Sequence, residues 1–307
     1  MKRKVNFREL YTRSLPKIEP YLFLLPFLVT FFIFFLWPIL FNLGMTFTDW
    51  HGARGGNYIG IKNYVELVKS TMFRKAALNT LWYAVVGGGV LLPLGFAVAY
   101  LLNGSITVGK KFFRTLFFLP VAAPPVLMAL VFVIIYDWHY GILNYLLSIV
   151  GGAPQNWLGD VAFTKLSVIV VFIWRLLGLV MIYYLVGLQG LDVNMIEAAK
   201  VDGANGRQTI LYIILPSLKP VILFISVVVT IEVFQIFQEP HTLFSFVFMG
   251  ASGGPEDSAL SMMQYIHRIG FSYQELGKAA TAVVFLFSVV IVITILQLKH
   301  FGFFRRS

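Results

Sequence analysis

The sequence predicts an all-α integral membrane protein: six transmembrane helices, with a short cytoplasmic helix between helices 4 and 5. Three observations carry that prediction. Among 307 residues, 58% are hydrophobic and only 12% charged, about half the charged share of a soluble domain. Six apolar runs each approach the roughly 20 helical residues that cross a hydrocarbon core of about 30 Å. Lys and Arg, which bring the formal charge to +10, sit mostly between or beside those runs, as membrane flanks do. A nucleic-acid-binding protein would gather them on one solvated face, so membrane lipid is expected as a partner and nucleic acid is not. Each run is continuously apolar and not alternating, which selects helices over barrel strands.

The first run, residues 21–47, is too long for the apolar part of a signal peptide and lacks a small-residue cleavage pattern. It is expected to stay in the mature chain. Runs at 78–102, 112–136 and 166–187 follow. The fifth, 221–239, is the weakest, because it contains Glu232, Gln235, Gln238 and Glu239; the sixth is 279–298. Orientation follows from the basic residues of the connections. With the N-terminus inside, fifteen Lys and Arg face the cytoplasm and eight face outward. The expectation is a cytoplasmic N-terminal segment 1–20, a six-helix domain 21–302 and a cytoplasmic tail 303–307. Connections 49–77, 137–165 and 240–278 then fall outside, and 188–219 falls inside. Absence of cysteine excludes disulfides and thiol chemistry.

The inner connection reads LQGLDVNMIEAAKVDGANGRQTILYIILP from Leu188 to Pro216. Asn194 is expected to cap a short helix, with Glu197 three residues later closing a capping box. Ala198 and Ala199 favour helix, and Gly203 can end it in the left-handed conformation. A second helical stretch is expected from near Asn205 to Leu215. Pro216 and Pro220 are expected to break the chain as it re-enters the membrane. Small alanines on a short helix permit close approach by another surface; packing against the chain's own bundle is the alternative.

Glu197-Ala198-Ala199, then Gly203 after three residues, then Ile213, Leu215 and Pro216 after nine more, resemble the signature of ABC importer permeases. Asp202-Gly203-Ala204 also matches. The chain further resembles the carbohydrate, maltose-transporter-type branch, from about Tyr21 to the C-terminus. The resembling features include Phe113-Arg114 leading to Leu119-Pro120, Gly141-Ile142-Leu143-Asn144, Trp157-Leu158, Gly187-Leu188-Gln189 and Gly253-Gly254-Pro255. Gly190-Leu191-Asp192 departs from it, since the branch usually has Ile-Pro there.

The resemblance implies that the 197–203 helix docks on a separate ATPase dimer. Glu197 would be the polar anchor, the alanines would set close contact and Gly203 would make the bend. It implies that ATP and Mg are bound by that ATPase and no cofactor by this chain, which is then not itself an enzyme. It also implies a second permease subunit, a different chain, and an extracytoplasmic solute-binding protein touching the loops around 49–77 and 250–256. The cargo would be a sugar or oligosaccharide, and the location a bacterial or archaeal cytoplasmic membrane. The sequence agrees in having no G-x-x-x-x-G-K-[ST] phosphate loop. An ABC permease for a polyamine or glycerol phosphate is the alternative. An ion-gradient-driven carrier is disfavoured by the lack of an inverted repeat.

Ionisable groups at membrane depth cost about 2.5–3.5 kcal/mol each on insertion scales, so they face protein or water. Glu232, Gln235 and Glu239 lie at i, i+3 and i+7, one face of a continuous helix, with Gln238 at its edge. Such a stripe could offer hydrogen bonds to sugar hydroxyls while Phe234 and Phe237 stack on sugar faces. In the competing reading Glu239 marks the outer membrane boundary and Glu232 pairs within the bundle. Arg175, inside the fourth run, is expected to pair with Glu232 or to snorkel, and is a candidate pathway residue. The aromatic cluster at 136–139 reads as an interfacial belt. The five histidines are scattered, with neither H-E-x-x-H nor G-x-S-x-G present, so metal and hydrolase sites are not expected.

Overall fold

The computed structural model describes residues 21–104, 109–248 and 252–302. The expected cytoplasmic segments 1–20 and 303–307, and Gly250 of the outer loop, lie outside these. Apart from two isolated bridges, Thr48–Tyr58 and His51–Glu275, the regular structure among the described residues is helical. Five helices are long and apolar enough to cross a membrane, or six spans if one sharply bent pair counts as one.

Helix α1 (Tyr21–Met45) is apolar and outward-facing throughout its spanning window, with Phe27, Phe31 and Phe35 stacked in steps of 6.1 Å. A π-helical turn, Phe32–Leu36, interrupts it where the Trp37 N–H reaches back to the Phe32 carbonyl. The next residue is Pro38, which has no N–H to continue the α ladder. A polar clip follows. Asn63 on α2 (Lys62–Lys69) donates to the carbonyls of Thr46 and Thr48 at 2.9 and 2.8 Å, and Glu66 pairs with Lys278 at 3.1 Å.

Helix α3 (Thr71–Asn103) starts seven residues before the expected apolar run, because Ser70 caps it by accepting from the Phe73 N–H. Its 33 residues span about 50 Å, so it extends beyond the hydrocarbon core. The third run is not one continuous helix. It forms α4 (Lys110–Ala122) and α5 (Pro125–Ile135), bent by 103°. Ala123 and Pro124 each precede a proline and are both driven to ψ values near 140°. The hydrophobic run records apolar length; the Pro124-Pro125 pair breaks it.

After α6 (Ile142–Ile149), helix α7 (Val161–Gln189) runs through the centre of the bundle, capped by Asp160. Its buried Val168, Phe172, Leu176, Val180 and Met181 form the middle of the main core. The inner connection holds α8 (Val193–Val201), then α9, which opens at Gly206–Thr209 and continues through a π turn, Ile210–Ile214, to Leu215–Ser217. This π turn again ends one residue short of a proline, Pro216. Pro220 breaks nothing; it sits in the first turn of α10 (Lys219–Phe234), where its missing N–H is not needed.

The fifth run is also discontinuous. Helix α10 ends at Gln235, and α11 (Gln238–Val247) begins after a break with Phe237 at φ −139°. The connection that follows was expected to be an outer loop, yet Ala259, Leu260, Ser261 and Met262 are buried. Its carbonyls are caught by α3. Asn79 donates to Asp257 and Leu260, both at 3.1 Å, and the Tyr83 hydroxyl donates to Ala259 at 3.0 Å. Helix α12 (Met262–His267) and a π turn, Arg268–Ser272, lead to the last span, α13 (Leu276–His300).

Candidate translocation site and coupling surface

The break between α10 and α11 sits in the polar part of the fifth run and frees backbone groups that a continuous helix would pair. Its freed Ile236 carbonyl accepts from the Ser261 hydroxyl at 2.7 Å. Ser261 is itself the cap of α12, in a capping box with Gln264. The buried connection thus repairs the broken helix. The S-x-x-Q spacing of that box is a readable helix-start signal that the sequence reading passed over.

Breaking the helix redistributes the expected stripe. Glu232 and Glu239 both turn to Arg175, while Gln235 is exposed at the break. Glu239 is fully buried, its side chain 1% exposed, with Oε1 2.7 Å from Arg175 Nε. Arg175 Nη2 also approaches Glu232 Oε2 at 3.6 Å, where Glu232 is 42% exposed. One guanidinium therefore lies between two carboxylates, with its carbon 5.6 Å from the Phe172 ring centre. Pairing of Arg175 with Glu232 was expected; the tighter Glu239 contact was not. Glu239 Oε2 is buried and has no hydrogen-bond partner.

Gln235 and Gln238 are exposed at the break, and their side-chain amides take no hydrogen bond among the described residues. Phe234 does not line a path. It is buried against the Phe73, Met262 and Tyr265 cluster, so no sugar face can reach it. Phe237 is half-buried and stacked on His241 at 4.9 Å, with His267 at 5.2 Å on another side.

Helix α8 stands at the far end of α7. Its cap is Asp192, whose Oδ1 accepts from the Asn194 N–H at 2.9 Å. Asn194 is therefore inside the helix and Glu197 closes no capping box. Asp192 belongs to the Gly190-Leu191-Asp192 departure, which supplies a cap of its own. The C-terminal end is as expected: Gly203 adopts φ +83°. The Gly203 and Ala204 N–H groups reach the Lys200 and Ala199 carbonyls at 3.1 and 2.9 Å, a Schellman closure. Glu197, Ala198, Asp202 and Gly203 are exposed, whereas Ala199 is buried against the bundle. Only one of the two alanines is thus open to another molecule. Asn205 and Gln208 form the capping box that opens α9. Ile213 and Leu215 are half-buried and Pro216 is exposed.

Residues 89–302, which hold both the Arg175 cluster and α8, match the family model described as binding-protein-dependent transport system inner membrane component. The chain belongs to this family. It is the inner-membrane permease of an ABC transporter, a multi-pass membrane protein whose ATP is hydrolysed by a separate ATPase subunit. It is 30% identical over 304 residues to the arabinooligosaccharides transport system permease protein of Bacillus subtilis, covering 99% of this chain and 94% of that one. It is 31% identical to the lactose transport system permease protein of Rhizobium radiobacter, covering 91% and 93%. Among solved structures it superposes with TM-score 0.80 and 25% identity on a chain of a bacterial alginate ABC transporter, crystallised with an alginate pentasaccharide-bound periplasmic protein. That match covers 95% of this permease and 96% of the other chain.

Proposed function

We propose that this permease is one of two different membrane subunits forming the translocation path for a neutral di- or oligosaccharide. In this reading both termini are cytoplasmic. A cytoplasmic ATPase dimer, which binds ATP and Mg, engages α8 through Glu197, Ala198, Asp202 and Gly203. An extracytoplasmic binding protein delivers the sugar to loops that include 49–77. The observation that carries the cargo class is the α10–α11 break. There the one cation, Arg175, is held between Glu232 and Glu239, which leaves a carboxylate in excess, while the side chains of Gln235 and Gln238 are exposed. Neutral amides that donate and accept suit hydroxyl-rich uncharged solutes; an anionic cargo would want an unspent cation. Relatives named for arabinooligosaccharides and lactose support that class.

The test is uptake of radiolabelled oligosaccharide by proteoliposomes holding the complete transporter. ATP-dependent uptake that needs the binding protein is expected. Gln235→Leu should cut uptake at least several-fold while leaving assembly with the ATPase unchanged. Normal uptake by that variant removes Gln235 from the path, and uptake driven by an ion gradient without ATP overturns the coupling reading.

A further inference from the structure

Helix α6 lies apart from the residues proposed for the path and for coupling, yet it is held by a dense set of hydrogen bonds. Asn144, buried on its inner face, donates to the carbonyls of Trp138 and Gln155, both at 3.0 Å. Its Oδ1 accepts from the Gln155 N–H at 3.0 Å and from Trp157 Nε1 at 2.9 Å. Gly141 seats the start of the helix against α5 so closely that a Cβ would lie 2.2 Å from the Asp137 carbonyl oxygen. These contacts tie α6 to the turn that follows α5 and to the segment that leads into α7.

The opposite face is apolar and open. Ile142, Tyr145, Leu146 and Ile149 are 55, 65, 51 and 64% exposed, and their i, i+3, i+4, i+7 spacing makes one stripe. Trp138 and Tyr140, just ahead of the helix, are exposed too. No Asp, Glu, Lys or Arg occurs between Asp137 and Asp160. A protein-docking face carries a polar rim, whereas an uncharged stripe beside Trp and Tyr has the chemistry of a membrane interface. The stripe also continues a lipid-facing surface. Six residues earlier α5 ends, with Leu127, Val131 and Ile134 pointing outward at helical spacing.

We propose that α6 lies in the plane of the membrane interface, its stripe sunk among phospholipid acyl chains and Trp138 and Tyr140 at headgroup level. It then acts as a lipid anchor that holds the bent α4–α5 pair at a fixed depth. The chain has no cysteine, so single-site labelling is direct. Nitroxides would be placed by Ile142→Cys, Tyr145→Cys and Ile149→Cys, with Ser148→Cys off the stripe as the reference. Accessibility to oxygen and to a neutral nickel chelate would be read in the assembled transporter in phosphatidylethanolamine–phosphatidylglycerol nanodiscs. The three stripe labels should favour oxygen over nickel by several-fold relative to position 148. Equal nickel access at all four sites would overturn the proposal, because the stripe would then be in water. Shielding from both reagents, or shielding that appears only when the extracytoplasmic binding protein is added, would overturn it in favour of a protein contact.

Discussion

At the scale of single residues, the Arg175–Glu239 pair carries the largest electrostatic stake in the membrane. With the Glu239 side chain 1% exposed and Arg175 15% exposed, removing Arg175 leaves Glu239 buried without its partner. Breaking such a buried pair costs about 3–5 kcal/mol, whereas replacing both partners together is often close to neutral. Arg175→Met should therefore lower the apparent Tm of the detergent-solubilised permease strongly. Arg175→Met with Glu239→Gln should recover most of the loss, measured by thermal unfolding across the double-mutant cycle. A gentler residue effect belongs to Asp192. Losing its cap by Asp192→Ala removes about 1 kcal/mol from α8, read as faster amide hydrogen exchange at the start of that helix.

At the scale of elements, the α3–α7 crossing depends on where glycine is needed and where it is not. A Cβ on Gly95 would lie 2.4 Å from Val180 Cγ1, while one on Gly88 would meet nothing within 4 Å. Small residues let membrane helices approach without losing dispersion contacts elsewhere. Gly95→Ala is expected to destabilise by about 1–3 kcal/mol through overpacking. Gly88→Ala should be neutral or stabilising by up to about 1 kcal/mol from helix propensity alone. Thermal unfolding of both variants in the same detergent checks the contrast. The run GGG at 87–89 was readable as a sequence; which glycine bears the close contact was not, because that depends on the neighbouring helix.

At the scale of the whole molecule, α8 stands exposed at one end of α7, the most central span, and Arg175 lies midway along the same helix. On the proposed coupling, a push on α8 would pass along α7 toward the charged cluster at the α10–α11 break. Gly203 has open space around its Cβ position, so Gly203→Asp costs this chain only the modest strain of a left-handed non-glycine residue. Its effect should fall on the ATPase contact. Both Gly203→Asp and Glu197→Arg are expected to abolish ATP-driven uptake while membrane insertion and apparent Tm stay near the parent values. Uptake at parental rates in both variants would remove α8 from the coupling path.

The apolar runs and the Gly203 end of α8 were legible in the sequence, whereas the cap of that helix is Asp192 and not the expected Asn194. Each apolar run meets lipid independently, since a helix satisfies its own backbone within the run. Caps such as Ser70, Asp160, Asn205 and the Gly203 turn act over three or four residues. The family signature around Glu197 to Pro216 was legible for the same reason: its spacing is local. Tertiary structure alone decided what the polar residues meet. Arg175 finds Glu239 across 64 positions, and the Ile236 carbonyl is satisfied by Ser261 across 25. Phe234 turns into a cluster built from α3, α12 and α13. In a medium without water, every polar atom exposed by a helix break needs a partner from the protein. Those partners come from wherever the fold brings them, so the break, the buried connection and the ion cluster were settled together by packing and not by any local pattern.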